Sequence, residues 1–483
     1  MPINEQAVKD ITRNQSNRGF LVLSLVLMVV LLIDIVVPIY PNDLWPYMRI
    51  GDEIMRTHAI PTTEFMTYTQ FGQPAVYLFW LPSLIFLGVF KLGGPTLISI
   101  LSSLCIATFY FLLWLCLRQY KVGSLTSAGL LLFSIITSIE SWSIRPQTLV
   151  FPLFGLTLLS IIKWQKGNNR FLWLIPLVTL VWTNLHASFI VVFLLAGPAI
   201  LFGKGNRKYL LGVTILSLTA TLVNYYGFEL WRQMFSMVNS QSINNYSIEW
   251  QRSINEGWQK NVYFAVLLII PLLTAWIKPR IPLLNWIWFA GFGWMSLSAI
   301  RYDFWFVSVE VLLLGMMLGP VLDPVFSRKK FFQNRMVNTA TGILMLVIPF
   351  AFLPGLRGLW WQNSTAVYQE TTPIKAAEWL KQNPQLPGEL WSDFNYSTYL
   401  TYGLPERKLF MTNRFEDFLA EQFEDNDTIT YAEPGWEEAL QKYGINTVLA
   451  SVLKDPKLIG ALSVSPDWKI VYMDEDSYIF VRN

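Results

Sequence analysis

The sequence has 483 residues, of which 53% are hydrophobic, 15% aromatic and only 14% charged. Soluble domains carry roughly 25% charged residues, so this composition predicts an integral membrane protein. The net charge of +3 is small and is spread over several short basic clusters, which excludes a nucleic-acid-binding surface and suits a topology signal.

About eleven apolar segments have the length of roughly 17 to 22 residues that a bilayer core requires. They lie near residues 20–39, 97–117, 123–140, 147–163, 171–185, 188–203, 209–224, 261–277, 283–299, 302–322 and 337–355. The first segment exceeds the length of a signal-peptide core and lacks a small-residue cleavage site. We therefore predict a polytopic all-α membrane bundle with a retained first helix.

The basic clusters predict the orientation of this bundle, because Lys and Arg collect on cytoplasmic loops. From Arg118 onward, two predicted spans separate each cluster from the next. The N-terminal cluster shares their side only if residues 75–92 form an interfacial or re-entrant helix that ends at "KLGGP" and does not cross. The prediction is a cytoplasmic N-terminus and an outer C-terminus. The clusters are Lys9/Arg13/Arg18, Arg118/Lys121, Lys163/Lys166/Arg170, Lys204/Arg207/Lys208, Lys278/Arg280 and Arg328/Lys329/Lys330/Arg335.

The composition after Trp360 becomes that of a soluble protein. Helical spacing appears in "TPIKAAEWLKQN" and "EPGWEEALQKYG", and strand patterns appear in "PGELWSDF", "RKLFM", "INTVLAS", "WKIVYM" and "SYIFVRN". The sequence therefore predicts three parts: a cytoplasmic segment (1–19), a transmembrane domain (20–358) with an outer loop at 40–75, and a small outer α/β domain (359–483).

The outer loop after the first span carries the first candidate site. Leu44, Met48, Gly51 and Met55 recur at helical spacing, which predicts a short amphipathic helix on the membrane surface. Asp43 stands at its start, where a carboxylate can accept helix N–H groups. The pattern of this helix alone leaves an alternative open: Asp43 is a helix cap and Trp45 an interface anchor, and neither has a functional role.

The ordered motifs resemble bacterial GT-C glycosyltransferases, polytopic enzymes that take a sugar from a polyprenyl-phosphate carrier. The loop pattern of one branch is matched by Asp43, Trp45, Gly51, Ile60, Pro61, Glu64, Phe65, Tyr68 and Thr69. Similar pieces follow at "RPQ" (145–147), "NLHASF" (184–189), Arg301, "YSTYL", "RFEDF" and "WKIVYMD". The resemblance covers nearly the whole chain and rests on the order of short motifs.

The resemblance implies a GT-C-like bundle, an acidic residue on the catalytic rim of the outer loop, and an inverting single displacement. Two positions depart from the pattern. Tyr47 stands where that branch often has His, and Glu64 where it often has Asp. A glutamate can still act as a base, whereas the missing imidazole removes a contact for a metal or a phosphate.

Glycosyl transfer from a lipid phosphate needs a base for the acceptor hydroxyl and cations for the departing phosphate. Asp43 is the first candidate for the base and Glu64 the second. Candidate residues for substrate or phosphate binding are Arg145, His186, Arg301, Trp45 and Tyr47. For each arginine the alternative is a snorkelling side chain at the interface, and for His186 a histidine packed between helices.

Further polar residues have structural readings. Asp303 can pair with Arg301, and Asp393, Arg414, Glu416 and Asp417 can form salt bridges and turn caps or recognise an acceptor. No cofactor is assigned. A divalent metal stays open, because it would need more carboxylates around Asp43 than the loop supplies.

The predicted partners are a polyprenyl-phosphate-linked sugar, a glycan, lipid or protein acceptor, and membrane lipids, with no nucleic acid. The predicted location is the bacterial plasma (inner) membrane, with the C-terminal domain periplasmic or extracellular. Two alternatives stay open: a transporter or flippase of lipid-linked sugars, which often shows inverted repeats not found here, and a non-catalytic assembly protein on the same scaffold.

Overall fold

The computed structural model describes residues 5–239, 241–327, 334–361, 367–369 and 371–483. Arg328, Lys329 and Lys330 of the last basic cluster lie outside these residues, and so do the side chains of Lys9 and Arg13. The N-terminal three quarters of the chain is helical. Its helices are α1 (Glu5–Val36), α2 (Leu44–Thr57), α3 (Trp80–Gln119), α4 (Ser124–Ser138), α5 (Pro146–Gln165), α6 (Leu174–Leu185), α7 (Val191–Phe202), α8 (Arg207–Ala220), α9 (Glu229–Val238), α10 (Gln241–Tyr246), α11 (Gly257–Ile277), α12 (Leu283–Ser298), α13 (Asp303–Ser327), α14 (Arg335–Val347) and α15 (Pro354–Arg357).

Seven stretches of the described chain are helices long and apolar enough to cross a membrane, as a multi-pass membrane protein requires. They are Arg18–Val36, Trp80–Gln119, Ser124–Ser141, Pro146–Gln165, Gly257–Ile277, Ile300–Phe326 and Arg335–Phe352. The other four predicted spans coincide with the shorter helices α6, α7, α8 and α12, which have 12, 12, 14 and 16 residues. Polar residues such as Asn184 and His186 interrupt the apolar pattern there.

The predicted break at "KLGGP" is confirmed. Gly93 and Gly94 leave the helical conformation inside α3, and Gly94 has a φ of 58°, which favours glycine. The helix before this break begins at Trp80 and not at Ala75. Residues 75–79 lie outside any helix: the Ala75 N–H donates to the Thr62 carbonyl and the Tyr77 N–H to the Tyr226 hydroxyl.

The outer loop forms helix α2, as predicted, and α2 lies against the first part of α3. The contact is so close that a Cβ atom on Gly51 would stand 2.3 Å from the Ser83 carbonyl oxygen. Trp45, on α2, is 2% exposed and packs against Phe90 of α3 and Tyr399 of the C-terminal domain. α2 is therefore enclosed between the bundle and that domain.

The C-terminal domain is built on a four-stranded sheet in the order β1-β2-β4-β3, with β1 parallel to β2 and the other pairs antiparallel. Alternate residues enter two cores on its two faces: Trp391, Val448 and Phe480 on one, and Leu390 and Ile479 on the other. Its elements are α16 (Ile374–Gln382), β1 (Glu389–Ser392), α17 (Phe394–Gly403), α18 (Ala420–Thr430), α19 (Trp436–Lys442), β2 (Ile445–Ser451), α20 (Pro456–Val464), β3 (Trp468–Met473) and β4 (Ser477–Arg482).

The segment "RKLFM", predicted to be a strand, does not join this sheet as one. Leu409 instead makes isolated bridges to Leu390 of β1 and to Thr67 of the outer loop. The Tyr68 N–H donates to the Leu409 carbonyl and the Leu409 N–H to the Met66 carbonyl, each over 3.0 Å. The segment therefore fastens the outer loop to the C-terminal domain.

Candidate active site

Asn42, and not Asp43, caps helix α2. The Asn42 side-chain oxygen accepts from the Leu44 N–H over 3.0 Å, whereas the Asp43 carboxylate makes no capping hydrogen bond. The reading of Asp43 as a helix cap is therefore wrong. Because the neighbouring asparagine satisfies the helix end, the Asp43 carboxylate is free to point elsewhere.

The Asp43 carboxylate faces a cavity of about 480 Å³ between the bundle and the C-terminal domain. The Asn413 amide donates to one carboxylate oxygen over 2.5 Å. Tyr47, His186 and Arg301 also line the cavity, as do Arg414 and Glu416 of the C-terminal domain. Four chain segments that are far apart in sequence therefore converge on one space.

Two arginines set the electrostatics around Asp43. Burial raises the pKa of the Asp43 carboxyl above its ordinary value of 3.8, and the charges of Arg145 and Arg301 oppose this rise. Burial also lowers the pKa of Arg145 to about 10, so its guanidinium stays cationic at neutral pH. Among the described residues, neither arginine forms an ion pair with Asp43.

Arg145 and Arg301 differ in their partners. Arg145 forms an ion pair with Glu249 of the long loop after α10. Arg301 forms no ion pair within the described part of the chain, and its guanidinium lies over the Trp250 ring, 4.3 Å from the centroid. The sequence suggested that Asp303 pairs with Arg301. It does not, because the Asp303 carboxylate forms an ion pair with Lys260. Arg301 is thus a cation at the cavity without a carboxylate partner.

His186 lines the cavity as a neutral imidazole. Burial and the charges of Arg301 and Arg145 hold its pKa well below 6.5. Its Nδ1 accepts from the Ser188 N–H over 3.1 Å, so the ring proton lies on Nε2. The ring stacks on Phe79, which fixes its orientation. A neutral imidazole of this tautomer can donate a hydrogen bond from Nε2 to a ligand oxygen.

Tyr47 lines this cavity and an adjoining one of about 280 Å³. Burial and the Asp43 charge raise the pKa of its phenol, so Tyr47 stays protonated and can donate a hydrogen bond. Trp45, by contrast, is buried in the aromatic contacts described above, and its indole N–H donates to the Tyr40 carbonyl over 3.1 Å. Trp45 supports α2 from behind the cavity.

Glu64 lies inside the outer loop and is 2% exposed. Its carboxylate accepts from the Met66 N–H over 2.6 Å, the Thr67 N–H over 3.0 Å and the Tyr77 hydroxyl over 3.0 Å. The structure does not bring this carboxylate to the cavity beside Asp43. Its geometry suits the support of the loop better than proton transfer.

The polar residues of the C-terminal domain divide between structure and site. Asp393 caps α17 through the Asn395 and Tyr396 N–H groups, which agrees with the structural reading. Arg414 pairs with Asp417 over 2.6 Å and lies 4.2 Å from the centroid of the Tyr77 ring. Arg414 also lines the cavity together with Glu416. Asn413 was not among the predicted site residues, because no local sequence pattern marks it.

No metal-ligand set accompanies Asp43. In the residues that the structure describes, no group of three or more His, Cys, Asp or Glu side chains could hold a metal ion. The neighbours of Asp43 include two arginines, a neutral histidine, a tyrosine and an asparagine, and Glu249 and Glu416 line the same cavity. The arginines and the histidine supply the cationic and N–H groups that an anion would need there.

Comparisons with known proteins identify the fold. The structure of ArnT from Cupriavidus metallidurans in the apo state is 14% identical with a TM-score of 0.50, covering 94% of this chain and 95% of that chain. ArnT from the same organism bound to undecaprenyl phosphate is 15% identical with a TM-score of 0.49, covering 94% and 96%. No protein-family model and no curated protein matches the sequence. The chain therefore has an ArnT-like fold, and the predicted helical membrane bundle with a small C-terminal sheet domain is confirmed.

Proposed function

We propose that this protein is a membrane glycosyltransferase that moves a sugar from a polyprenyl-phosphate carrier to an acceptor hydroxyl. One observation carries the proposal: the Asp43 carboxylate, whose pKa is raised, shares a cavity with a neutral histidine and with Arg301, which has no carboxylate partner among the described residues. This is the set of groups that proton removal and phosphate departure need. The ArnT-like fold agrees with it.

In the proposed reaction Asp43 is the general base. The acceptor oxygen attacks the anomeric carbon while its proton passes to the Asp43 carboxylate. The bond between that carbon and the phosphate oxygen breaks, and its electron pair leaves with the carrier phosphate. Because attack and departure occur on opposite faces of the sugar, the configuration inverts. The raised pKa of Asp43 makes its carboxylate a better proton acceptor than an ordinary aspartate.

The departing phosphate is held in this proposal by Arg301 and His186. The Arg301 guanidinium offers a fork of N–H donors, and His186 offers its Nε2–H. Arg145 is occupied by Glu249 and acts through its charge on Asp43. Tyr47 is proposed to position the substrate, and Trp45 and Glu64 to support α2 and the loop. The proposal assigns no step to a metal.

The orientation belongs to the same proposal. The cavity and the C-terminal domain lie on the outer face of the bacterial plasma membrane, and the N-terminus lies in the cytoplasm. The helix from Trp80 to the break at Gly93 stays on the outer side as an interfacial helix in this proposal. The positive-inside rule supports this arrangement, since several basic clusters meet at the end of the bundle away from the cavity.

The test is deletion of the gene, mass spectrometry of surface glycans and glycolipids, and complementation. The wild type should restore the lost glycan, and Asp43→Asn should not. Asp52→Asn is the matched control, because Asp52 lies on the same helix with an exposed side chain that pairs with Lys91. Restoration by Asp43→Asn would disprove the catalytic assignment.

The same experiment separates the transferase from a flippase. Loss of a transferase leaves unspent lipid-linked sugar on the outer face, whereas loss of a flippase leaves it on the inner face. An intact glycan profile in the deletion strain would favour neither and would contradict the proposal.

A further inference from the structure

A second cavity, of about 740 Å³, lies at the end of the bundle away from the candidate active site. Pro146 at the start of α5 lines the active-site cavity, and Gln165 at its end lines the second cavity. A helix rises 1.5 Å per residue, so the 20 residues of α5 separate the two by roughly 30 Å. Arg301 and Asp323, near the two ends of α13, line them in the same way.

Four cations line this second cavity: Lys121, Lys166, Lys204 and Arg280. Each comes from a different basic cluster and follows a different helix, so the tertiary fold gathers them. Within the described part of the chain, none of the four forms an ion pair. Burial and the neighbouring Lys121 lower the pKa of Lys166, so the cations disfavour one another's charge.

Asp323, an acid in the cavity wall, forms no ion pair with these cations within the described part of the chain. The Asp323 carboxylate accepts from the Gly123 N–H over 2.7 Å and from the Thr126 hydroxyl over 2.5 Å, at the start of α4. Its oxygens are therefore committed to the α4 terminus. The Gln165 side-chain nitrogen, in the same wall, has no hydrogen-bond partner among the described residues. The cavity thus has an excess of positive charge, although the Lys166 ammonium already donates to the Gln119 carbonyl.

The rest of the wall is apolar, with Val122, Ile162, Met316 and Pro320 beside the cations. Cations at the mouth of an apolar cavity at a membrane-helix end match a charged headgroup that continues into a hydrocarbon chain. We propose that this cavity binds the phosphate group of an anionic ligand, supplied by a membrane phospholipid headgroup.

The test uses the purified full-length protein in a neutral detergent. Native mass spectrometry measures binding of phosphatidylglycerol and of phosphatidylcholine, and inorganic phosphate is added as a competitor. The cavity variant is Lys121→Gln/Lys204→Gln/Arg280→Gln. The control is Arg207→Gln/Lys208→Gln/Lys278→Gln, which removes the same charge, from two of these three clusters, without touching the cavity wall. Thermal unfolding checks that both variants fold.

The expected result is that the wild type and the control prefer phosphatidylglycerol. The cavity variant should lose at least about tenfold in affinity for it, because each cation near a headgroup contributes attraction. Tight binding of inorganic phosphate without a lipid preference would support a phosphate site, but one whose ligand is a soluble phosphate and not a phospholipid. Equal loss in both variants, or no preference for phosphatidylglycerol and no phosphate binding in the wild type, would overturn the proposal.

Discussion

Asp43 and Asp303 are two acidic side chains near the same end of the bundle, and their surroundings differ. The Asp303 carboxylate forms an ion pair with Lys260 and accepts from the hydroxyls of Ser253, over 3.1 Å, and Ser296, over 2.5 Å. Asp43 has a hydrogen bond from Asn413 and faces a cavity. One carboxylate is fully occupied by the fold, and the other keeps free lone pairs towards a space that a ligand can enter.

A structural acid and a functional acid differ in how completely their carboxylate oxygens are bonded within the protein. A buried carboxylate is tolerated when a counter-ion and hydrogen bonds replace its hydration, as they do for Asp303. Glu64 follows the same pattern with backbone N–H partners. Asp43 departs from it, and its cations stand nearby without contact. A carboxylate that lacks some of its possible hydrogen-bond partners and lies near two cations is suited to exchange a proton with a ligand.

The largest expected effect is on the reaction itself. Asp43→Asn should lower kcat/KM by about a thousandfold, within the range of roughly 10² to 10⁴ for a lost general base. The measurement is sugar transfer by purified protein with a lipid-linked donor. Asp303→Asn should retain much more of the activity per folded molecule. Equal losses of activity in the two variants would show that Asp43 is no more important for the reaction than Asp303.

The next largest effect concerns stability. Lys260→Met leaves the Asp303 carboxylate buried without its counter-ion and should lower the free energy of unfolding by about 3 to 5 kcal/mol. The double variant Lys260→Met/Asp303→Leu should recover much of this loss, because no unpaired charge remains. Denaturant unfolding in detergent measures both. A fully stable single variant would show that the ion pair does not hold α11 against α13.

Arg301 should matter through the geometry of its donors. Arg301→Ala should lower kcat by roughly a hundredfold, as removal of one stabilising donor does elsewhere, and Arg301→Lys should restore only part of it because an ammonium lacks the planar fork. Single-turnover kinetics separate this effect from donor binding. Arg252→Lys, at an exposed position in the loop between α10 and α11, is the control and should leave kcat unchanged.

The pH profile should report on Asp43. The base must be deprotonated, so activity should fall as the pH falls through the raised pKa of Asp43, above the ordinary 3.8. Asn413→Ala removes a hydrogen bond to the charged form and should move this acidic limb up by roughly half to one pH unit. The dependence of kcat/KM on pH measures it. An unchanged limb would mean that another group controls it.

The smallest effect is a gain in stability. The folded state binds the Asp43 proton more tightly than the unfolded state, so this group destabilises the fold increasingly as the pH rises from 3.8 through its raised pKa. Asp43→Asn should therefore melt slightly higher than the wild type at pH 7. The difference should disappear below pH 3.8, where both states are protonated. A lower melting temperature at pH 7 would contradict the raised pKa.

Much of the fold could be predicted because its signals are local. Helical spacing gave α2, a pair of glycines before a proline gave the break in α3, and a short apolar run that contains Ile445 and Val448 gave β2. The segment "RKLFM" also ends in a short apolar run, yet its partner is the outer loop. Local pattern predicts an extended conformation there, whereas the pairing depends on the tertiary structure.

The candidate site could be predicted only in part. Asp43, His186 and Arg301 stand out as polar residues beside apolar segments, and they share one cavity. The hydrogen bond from Asn413, the ion pair of Arg145 with Glu249 and the pair of Lys260 with Asp303 join residues that are far apart in the chain. Nothing in the short-range pattern selects these partners. The same limit explains why Asp43, and not Asn42, stood as the alternative candidate for the cap of α2.

The hydrogen bond between Asp43 and Asn413 also determines when the site can form during synthesis of the chain. The two residues are 370 positions apart. At about 5 to 20 residues per second, a ribosome delivers the second roughly 20 to 70 seconds after the first. Until then α2 lacks the aromatic neighbours of Trp45 in the C-terminal domain, and the cavity has no outer wall. A nascent chain already inserted through its first helices therefore holds an open cleft, and the site closes only when the last domain emerges and docks.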